Sequence, residues 1–239
     1  MAKRPIFISD TSSEKYITEV EVEFEFYNGF SLDQKQKSIK SLHEAAKSNG
    51  INDLLEVSTK SPNELGNLLS AFNLSFLDKN NKIVYLESIF QGSKVFENDD
   101  GPHKDLYRLF PQDVKKDTRI DRNKKITKFE YEGQVWESEP KTAFYDWIYL
   151  NALKFNIDNS NNPIYKKILN FSAFTDIEFN PKKSINCQAR SCALFVSLYK
   201  KNKLEIALES KESFLDIISI DNFYKKKPTQ GTLDEVYNI

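Results

Sequence analysis

The chain has 239 residues, of which 39% are hydrophobic and 29% are charged, and its formal net charge is −1. This length fits one large domain or two small ones. A net charge near zero excludes a global basic field for nucleic acid, so contact with DNA requires a local patch. The sequence begins without the apolar run of a signal peptide and has no stretch as long as a membrane span, so we expect a cytoplasmic protein without membrane contacts.

The sequence offers few residues for metal or redox chemistry. Its two cysteines, Cys187 and Cys192, are predicted to lie on one helix, and its two histidines are His43 and His103. These residues form neither a disulfide framework nor a pattern of metal ligands, and no Ser-His-Asp arrangement can be argued from them. Glycine-rich phosphate loops are also missing from the sequence. We therefore expect a reducing compartment and a mechanism without metal or cofactor, built on carboxylates and a lysine.

The first predicted elements are a strand and an amphipathic helix. Strict alternation over Val20–Tyr27 predicts a half-buried strand with its glutamates on a solvated face. Ser31 or Asp33 can cap a helix that runs to about Ser48, where an Asn-Gly pair ends it. His43 lies beside the apolar stripe of this helix, which indicates a structural or solvated side chain.

The next predicted elements are short and lead into a second helix. Leu54–Val57 is predicted to be a strand. Leu68–Leu77 and Ile83–Leu86 are predicted to form a hairpin around the polar segment between them. The hairpin runs directly into a helix predicted over Glu87–Phe96.

The second half of the chain is predicted to be mainly helical. Ile126–Glu137 alternates as a hairpin around a Glu-Gly turn. The predicted helices are Lys141–Phe155, a helix from Ser184 or Asn186 to about Tyr199, and a helix near Leu204–Ile218. Strands come early and helices late, without β-α-β alternation, which is the pattern of an α+β fold.

Three polar side chains form a narrow stripe on the helix predicted over Glu87–Phe96. At 3.6 residues per turn, Glu87, Gln91 and Lys94 share one side, and apolar or small residues cover the rest. A surface helix normally has the reverse pattern, so this helix is predicted to be mostly buried. A carboxylate and an ammonium group so placed suit acid–base or nucleophilic chemistry, or form a buried ion pair that only fixes packing.

Further candidate residues lie in the second half of the chain. Asp176 and Glu178 share one face if their segment is extended, and paired carboxylates suit cleavage of a glycosidic bond. Lys182 and Lys183 precede a predicted helix start near Asn186, where free backbone N–H groups favour a phosphate. A polar strand face and a solvated loop are the alternative interpretations of these two segments.

Several motifs together resemble a known family. Ser70-Ala71-Phe72-Asn73, followed by Glu87–Phe96, resembles the pattern of the NADAR family. The wider chain resembles more particularly the NADAR antitoxins encoded beside DarT-type DNA ADP-ribosyltransferase toxins. The segments that carry this resemblance are Gln36–Ala46, Phe90–Phe96, Glu139–Trp147 and Phe174–Ala189. The chain departs from broader NADAR sequences in having no Trp-Gly motif late in the chain, where Phe174–Gln188 takes its place.

The resemblance implies an α+β fold, mainly helical with short strands and hairpins. It implies one NADAR-like domain over residues 1–223, with residues 1–66 as a family-specific extension and 224–239 as a polar tail. It also implies an ADP-ribosyl glycohydrolase that removes ADP-ribose from the amino group of guanine in DNA. The expected partners are ADP-ribosylated DNA, the product ADP-ribose and a cognate DarT-type toxin, and no cofactor is expected.

The resemblance also suggests roles for individual residues. Glu87 is expected to stabilise an oxocarbenium ion or act as general base, and Lys94 to act as nucleophile or as a clamp on the sugar. Asp176 and Glu178 are second candidates for acid–base work. The other expected ligand contacts are Ser70, Phe72, Asn73, Gln91, Trp147, Lys182, Lys183, Asn186 and Gln188, with Phe72 or Trp147 stacking on a base. The basic run Lys115–Lys125 is expected to be a solvated loop or a weak contact to DNA phosphates.

Two alternatives from other functional classes remain open at this stage. One is an N-glycosidase that acts on a small nucleotide, as other branches of the family do on riboflavin-pathway intermediates. The other is a binder without enzymatic activity that neutralises a toxin by contact. The first would act without DNA, and the second would tolerate the loss of Glu87 and Lys94.

Overall fold

Short strands and helices of unequal length make up the fold. The computed structural model describes residues 1–78, 80–120, 124–140, 142–182 and 184–219. The strands are β1 (Ala2–Ser9), β2 (Ile17–Phe24), β3 (Leu54–Glu56), β4 (Ser75–Leu77), β5 (Ile83–Tyr85), β6 (Lys94–Phe96), β7 (Ile126–Tyr131), β8 (Gln134–Glu137) and β9 (Ala173–Thr175). The α-helices are α1 (Leu32–Ser48), α2 (Glu64–Leu68), α3 (Leu86–Gly92), α4 (Pro111–Val114), α5 (Ala143–Asn159), α6 (Gln188–Lys200), α7 (Leu204–Glu209) and α8 (Lys211–Ile218). This α+β arrangement confirms the predicted fold class.

The largest sheet positions two loops that matter for the site. Its strand order is β2-β1-β9-β3, and β1 runs antiparallel to both β2 and β9. β3 runs parallel to β9, with Glu56 opposite Thr175. Parallel strands end at the same edge of a sheet, so the loops after β3 and β9 leave the sheet side by side. The helix α1 packs on this sheet through a core that includes Ile39, Leu42 and Ala46.

The main core lies around α5 and α6. Most of α5 is buried, as its apolar sequence predicts for a central helix. Phe144 of this helix stacks on Phe129 of β7 with ring centroids 5.0 Å apart, and Phe90 of α3 stacks on Phe129 at 5.4 Å. These aromatic contacts join α3, the antiparallel sheet β6-β7-β8 and α5 into one packed unit.

Several predicted elements are confirmed, with shifts at their ends. α1 ends at Ser48 as predicted, and its cap is Ser31, whose Oγ accepts a hydrogen bond from Gln34 N. The strand predicted over Val20–Tyr27 begins earlier, at Ile17, because it pairs along its whole length with β1, which the sequence analysis missed. The helix predicted near Leu204–Ile218 is divided at Ser210, which caps α8.

The helix predicted over Glu87–Phe96 is shorter in the structure. α3 ends at Gly92, and the chain then enters β6, where Lys94 pairs with Phe129 of β7. A Cβ atom on Gly92 would lie 2.8 Å from the carbonyl oxygen of His103, so the helix packs very closely against the segment after β6. The pairing with β7 overrides the helical continuation that the local pattern favours.

The segment around Asp176 is not extended, so Asp176 and Glu178 do not share the face of one strand. β9 ends at Thr175, and the residues from Asp176 form a turn. The turn forms because Asp176 Oδ1 accepts hydrogen bonds from the backbone N–H groups of Glu178 and Phe179. The next helix begins at Gln188, later than Ser184 or Asn186, so Cys187 is its cap residue and not part of the helix.

Some predictions fall outside the described residues or stay untested. Lys141, Lys183, part of the basic run Lys115–Lys125 and the predicted tail 224–239 lie outside the described ranges. The proposed boundaries at residues 66 and 223 stay predictions. Within the described ranges, none of the helices combines the length and the hydropathy that crossing a membrane would need.

Candidate functional site

A cavity of about 510 Å³ opens where the loops after β3 and β9 meet α3, β6 and α4. This volume lies in the range of pockets that hold small ligands. Most of the side chains selected from the sequence line this cavity. They are Glu87, Lys94, Asp176, Glu178, Ser70, Phe72, Gln91, Asn186 and Gln188.

Three of the selected residues lie elsewhere in the structure. Asn73 donates hydrogen bonds to the carbonyl oxygen and to Oδ1 of Asn67, both at 2.9 Å. Trp147 packs beside Trp136 on the main core, with ring centroids 5.1 Å apart. Lys182 is exposed and does not line the cavity. Lys183 lies outside the described residues.

Glu87, Gln91 and Lys94 form a hydrogen-bonded row on one wall of the cavity. Gln91 Nε2 donates to Glu87 Oε1 at 2.8 Å, and Lys94 Nζ donates to Gln91 Oε1 at 2.5 Å. Lys94 Nζ also lies 5.1 Å from the centroid of the Phe90 ring. Glu87 is 8% exposed and Lys94 5% exposed. The row exists although Lys94 belongs to β6, because the turn after Gly92 brings its side chain back toward Gln91.

Asp176 lies on another wall and is held by backbone and side-chain donors. Its Oδ1 accepts hydrogen bonds from Glu178 N and Phe179 N at 3.0 and 3.2 Å. The Gln188 side chain hydrogen-bonds to Asp176 and accepts a 2.8 Å hydrogen bond from Ala71 N. Burial, and then the charge of nearby Glu56, raise the pKa of Asp176 well above its ordinary value of 3.8. A carboxyl group with such a raised pKa keeps its proton toward neutral pH and can donate it.

Glu178 and Tyr145 complete the polar surroundings. Glu178 Oε1 lies 2.7 Å from Lys35 Nζ of α1, an ion pair that neutralises the glutamate at the cavity edge. Tyr145 of α5 lines the cavity, and burial, followed by the charge of Glu87, raises the pKa of its hydroxyl well above 10.0. Tyr145 is therefore a neutral phenol that can donate or accept a hydrogen bond.

The cavity also contains residues that the sequence analysis did not select. Ser58, Thr59 and Lys60 come from the loop after β3, and no local pattern singles them out. Lys115 follows α4, and its Nζ lies 4.2 Å from the centroid of the Phe72 ring. Lys115, Ile120 and Lys124 belong to the basic run Lys115–Lys125, which is predicted to be a solvated loop or a weak contact to DNA phosphates. The other lining residues that were not selected from sequence are Ala71, Phe90, Phe96, Gln112, Ile126, Tyr145, Phe179 and Ser184.

The polar side chains that line the cavity are carboxyl groups, lysines, amides, hydroxyls and a phenol. In the parts of the chain that the structure describes, no group of three His, Cys, Asp or Glu side chains is placed to hold a metal ion. Cys187 and Cys192 are buried, and burial raises the pKa of both thiols. Neither thiol is therefore activated as a nucleophile.

Comparison with known proteins gives one informative result. A family model described as DarT1-associated NADAR antitoxin matches residues 2–228. Among curated proteins, no match to the chain is found. The matched range contains every cavity-lining residue described above.

Proposed function

The chain belongs to the family of DarT1-associated NADAR antitoxins, and from this premise we propose that it removes ADP-ribose from the amino group of guanine in DNA. The reaction hydrolyses the N-glycosidic bond between that nitrogen and the ribose carbon, and it releases ADP-ribose. The proposal makes the chain a DNA-guanine ADP-ribosyl hydrolase that reverses the action of a cognate DarT-type toxin in the cytoplasm.

The observation that carries this proposal is the meeting of Glu87, Lys94 and Asp176 in one cavity. Cleavage of an N-glycosidic bond develops positive charge on the ribose and negative charge on the departing nitrogen. A carboxylate beside the ribose and a proton donor beside the nitrogen answer these two needs, and the raised pKa of Asp176 suits it to the second role. Ordinary packing gives no reason for such a set to face a cavity of this size.

Glu87 is assigned to the ribose carbon. Its Oε1 accepts a hydrogen bond from Gln91 Nε2, which fixes the carboxylate at the cavity wall. A fixed carboxylate stabilises an oxocarbenium ion more than water does, because it needs no reorganisation during the reaction. It can also take a proton from the water that attacks the ribose carbon.

Asp176 is assigned as the general acid. The electron pair of the broken bond stays on the guanine nitrogen, which takes the proton of Asp176. The attacking water gives its oxygen and one hydrogen to the ribose carbon and its other proton to Glu87. Proton exchange with solvent then restores both carboxyl groups, so the net reaction consumes one water molecule.

Lys94 is assigned as a clamp on the sugar rather than as a nucleophile. Lys94 Nζ donates a hydrogen bond to Gln91 Oε1 and lies beside the Phe90 ring, which holds it along the cavity wall as a hydrogen-bond donor to the sugar hydroxyls. The pyrophosphate and neighbouring DNA phosphates are assigned to the lysines that line the cavity, Lys60, Lys115 and Lys124.

The test uses an oligonucleotide that carries one ADP-ribosylated guanine. We expect Glu87→Gln to lower kcat by about 10²–10⁴-fold, the range for loss of an acid–base group. Lys94→Ala is expected to raise KM and lower kcat, and borohydride should trap no adduct with the wild-type protein. Glu64→Gln is the matched control, because Glu64 is exposed on α2 and does not line the cavity.

Other outcomes identify the alternatives. Full activity in both Glu87→Gln and Lys94→Ala, with folding intact, would remove these assignments. Neutralisation of the toxin by Glu87→Gln would favour a binder without enzymatic activity. Cleavage of a small N-glycosidic nucleotide, but not of the oligonucleotide, would favour a metabolic enzyme.

A further inference from the structure

A carboxyl group that does not line the cavity lies directly behind it. Glu56 is the last residue of β3, and it is 2% exposed. Ser58 Oγ, Thr175 Oγ1 and Ile177 N donate hydrogen bonds to its two oxygens at 2.7, 2.6 and 2.8 Å. Burial raises the pKa of Glu56 above its ordinary value, and the three donors oppose this rise because they favour the ionised carboxylate.

These hydrogen bonds join the two loops that form the cavity edge. Ser58 belongs to the loop after β3, and Ile177 follows Asp176 in the loop after β9. The helix α2 packs against the same residue, because a Cβ atom on Gly66 would lie 1.9 Å from the Glu56 carbonyl oxygen. Glu56 is therefore fixed by neighbours on several sides, and it fixes the backbone beside Asp176 in turn.

The contact between Thr175 and His43 sets the direction of one of these hydrogen bonds. His43 Nε2 lies 2.9 Å from Thr175 Oγ1. Because Thr175 has a single hydroxyl hydrogen and donates it to Glu56, His43 Nε2 must be the donor to Thr175. Burial lowers the pKa of His43 to about 4, so its ring is neutral at pH 7 with the hydrogen on Nε2. The hydroxyl of Thr175 is thus held toward Glu56.

We propose that Glu56 is a positioning residue whose negative charge keeps on Asp176 the proton that cleavage requires. This inference rests on the proposed function. Two neighbouring carboxyl groups in a buried site do not both ionise near neutral pH, so one of them retains a proton. Asp176 has donors of its own, the Gln188 side chain and two backbone N–H groups that both reach Oδ1, whereas the donors to Glu56 reach both of its oxygens. This difference assigns the charge to Glu56, and the cavity position of Asp176 gives its proton access to substrate.

Charged and titratable groups face Asp176 from every neighbouring element. They are Arg4 of β1, Glu56 of β3, Lys60 in the loop after β3, Glu87 of α3, Lys94 of β6, Tyr145 and Tyr149 of α5, Cys187 and Cys192 at and after the start of α6, and Glu178 in its own turn. Burial keeps the two phenols and the two thiols neutral, since it raises the pKa of each.

The charged members of this set act in opposite directions. Arg4 attracts the ionised form of Asp176 and so opposes the retention of its proton. Glu178 is paired with Lys35, which reduces its effect. Glu56 is the fully enclosed negative neighbour, and its charge is the larger influence of the two glutamates on Asp176.

The test is the pH dependence of kcat on the ADP-ribosylated oligonucleotide. In the wild-type protein, kcat should fall at alkaline pH when Asp176 loses its proton. In Glu56→Gln, which preserves shape and removes the charge, this fall should move to lower pH by one unit or more. At the lowest pH measured, kcat of this variant should stay within threefold of the wild-type value.

Two variants at Thr175 extend the test if Glu56→Gln does not fold. Thr175→Val removes one donor to Glu56, so Glu56 competes better with Asp176 for the proton. The alkaline fall of kcat should therefore move to lower pH, by less than in Glu56→Gln. Thr175→Ser keeps the hydroxyl and should leave the profile unchanged. The exposed-surface control Glu64→Gln should also match the wild-type profile. A uniform loss of kcat at all pH values, without a shift, would indicate a structural role and overturn the proposal.

A second readout does not depend on activity. The infrared carbonyl band of a protonated carboxyl group should be present at neutral pH in the wild-type protein and absent in Asp176→Asn. In Glu56→Gln this band should vanish at lower pH than in the wild-type protein. If the oligonucleotide is not cleaved by any variant, the proposed function fails while the band still decides the role of Glu56. An unchanged band in Glu56→Gln would overturn the proposal.

Discussion

At the scale of single residues, the buried carboxyl group of Asp176 opposes the stability of the fold. Its pKa in the folded protein is raised above its value in the unfolded chain. The stability it contributes is therefore complete at low pH and is lost as the pH rises through the folded pKa. We expect Asp176→Asn to increase the free energy of unfolding by about 1 kcal/mol at pH 8, at the expense of activity.

Denaturant titrations at pH 5 and pH 8 would measure this difference. The gain should be larger at pH 8, because the unfolded chain has released the Asp176 proton that the folded wild-type protein tends to retain. Asp216→Asn is a suitable control, since Asp216 is exposed on α8, and it should change stability little at either pH. A variant Asp176→Asn that is less stable than the wild-type protein at pH 8 would contradict the argument.

His43 has the opposite pH dependence. Its pKa is lowered from 6.5 to about 4, by burial first and by the charge of Lys47 second. Below pH 6.5 the unfolded chain binds a proton that the folded protein does not, so the folded protein loses stability as the pH falls from 6.5 to about 4. From pH 7 to pH 5 this loss should be about 2 kcal/mol.

The variant His43→Gln isolates this contribution. It keeps a hydrogen-bond donor near Thr175 and cannot titrate, so its stability should decline less than that of the wild-type protein between pH 7 and pH 5. Thermal unfolding at both pH values would measure the difference. Equal declines in the two proteins would show that His43 does not carry the acid sensitivity.

At the scale of elements, α4 brings a lysine over the aromatic side chain of another segment. Lys115 follows the last residue of α4, and its Nζ lies 4.2 Å from the Phe72 ring centroid. A cation over a ring stabilises both partners and forms a flat surface for a base. We expect Lys115→Ala to raise KM for the modified oligonucleotide about 5–10-fold, with kcat nearly unchanged.

Steady-state kinetics with Lys116→Ala would control for loss of charge. Lys116 is adjacent, is paired with Asp113 at 3.7 Å and does not line the cavity. Lys116 carries the same charge as Lys115, which makes it a matched control. Because it does not line the cavity, Lys116→Ala should leave KM within twofold of the wild-type value. Equal effects in the two variants would mean that charge alone, and not the contact with Phe72, governs binding.

Elements could be predicted from sequence where local signals agree with tertiary packing. Ser31 caps the start of α1, and the regular apolar stripe of this helix is buried. The cap and the periodicity together therefore predicted the bounds of α1, including its end at Ser48. The prediction that the helix from Glu87 continues through Lys94 was wrong. Lys94 pairs with Phe129, and that pairing depends on a strand distant in the chain. The predicted stripe still lined the cavity, since a tight turn returned Lys94 to Gln91.

Loop residues of the site could not be predicted in the same way. Ser58 and Lys60 reach the cavity because β3 lies parallel to β9, a pairing between segments more than 100 residues apart. No local pattern carries such information. Glu56 was missed for the same reason, since its importance depends on Thr175 and Ile177, which come from the far end of that pairing.

At the scale of the whole molecule, charge is divided unevenly between two surfaces. The exposed glutamates of and near β2 form an acidic face, namely Glu19, Glu21, Glu23 and Glu25. Lysines line the cavity, while the net charge of the chain is −1. An acidic face repels phosphate, so DNA should approach the protein from the cavity rather than across β2.

This division predicts a weak dependence of activity on salt. Four lysines line the cavity, and Lys94 is assigned to the sugar, so at most about three phosphates are neutralised there. A plot of log kcat/KM against log salt concentration for the oligonucleotide should therefore have a slope of about −2 to −3. Lys115→Ala should reduce this slope by about one, and ADP-ribosylated guanosine, which lacks the DNA phosphates, should give a smaller slope than the oligonucleotide. A slope steeper than about −6 would require an extended basic surface, which the acidic face and the small number of cavity lysines do not provide.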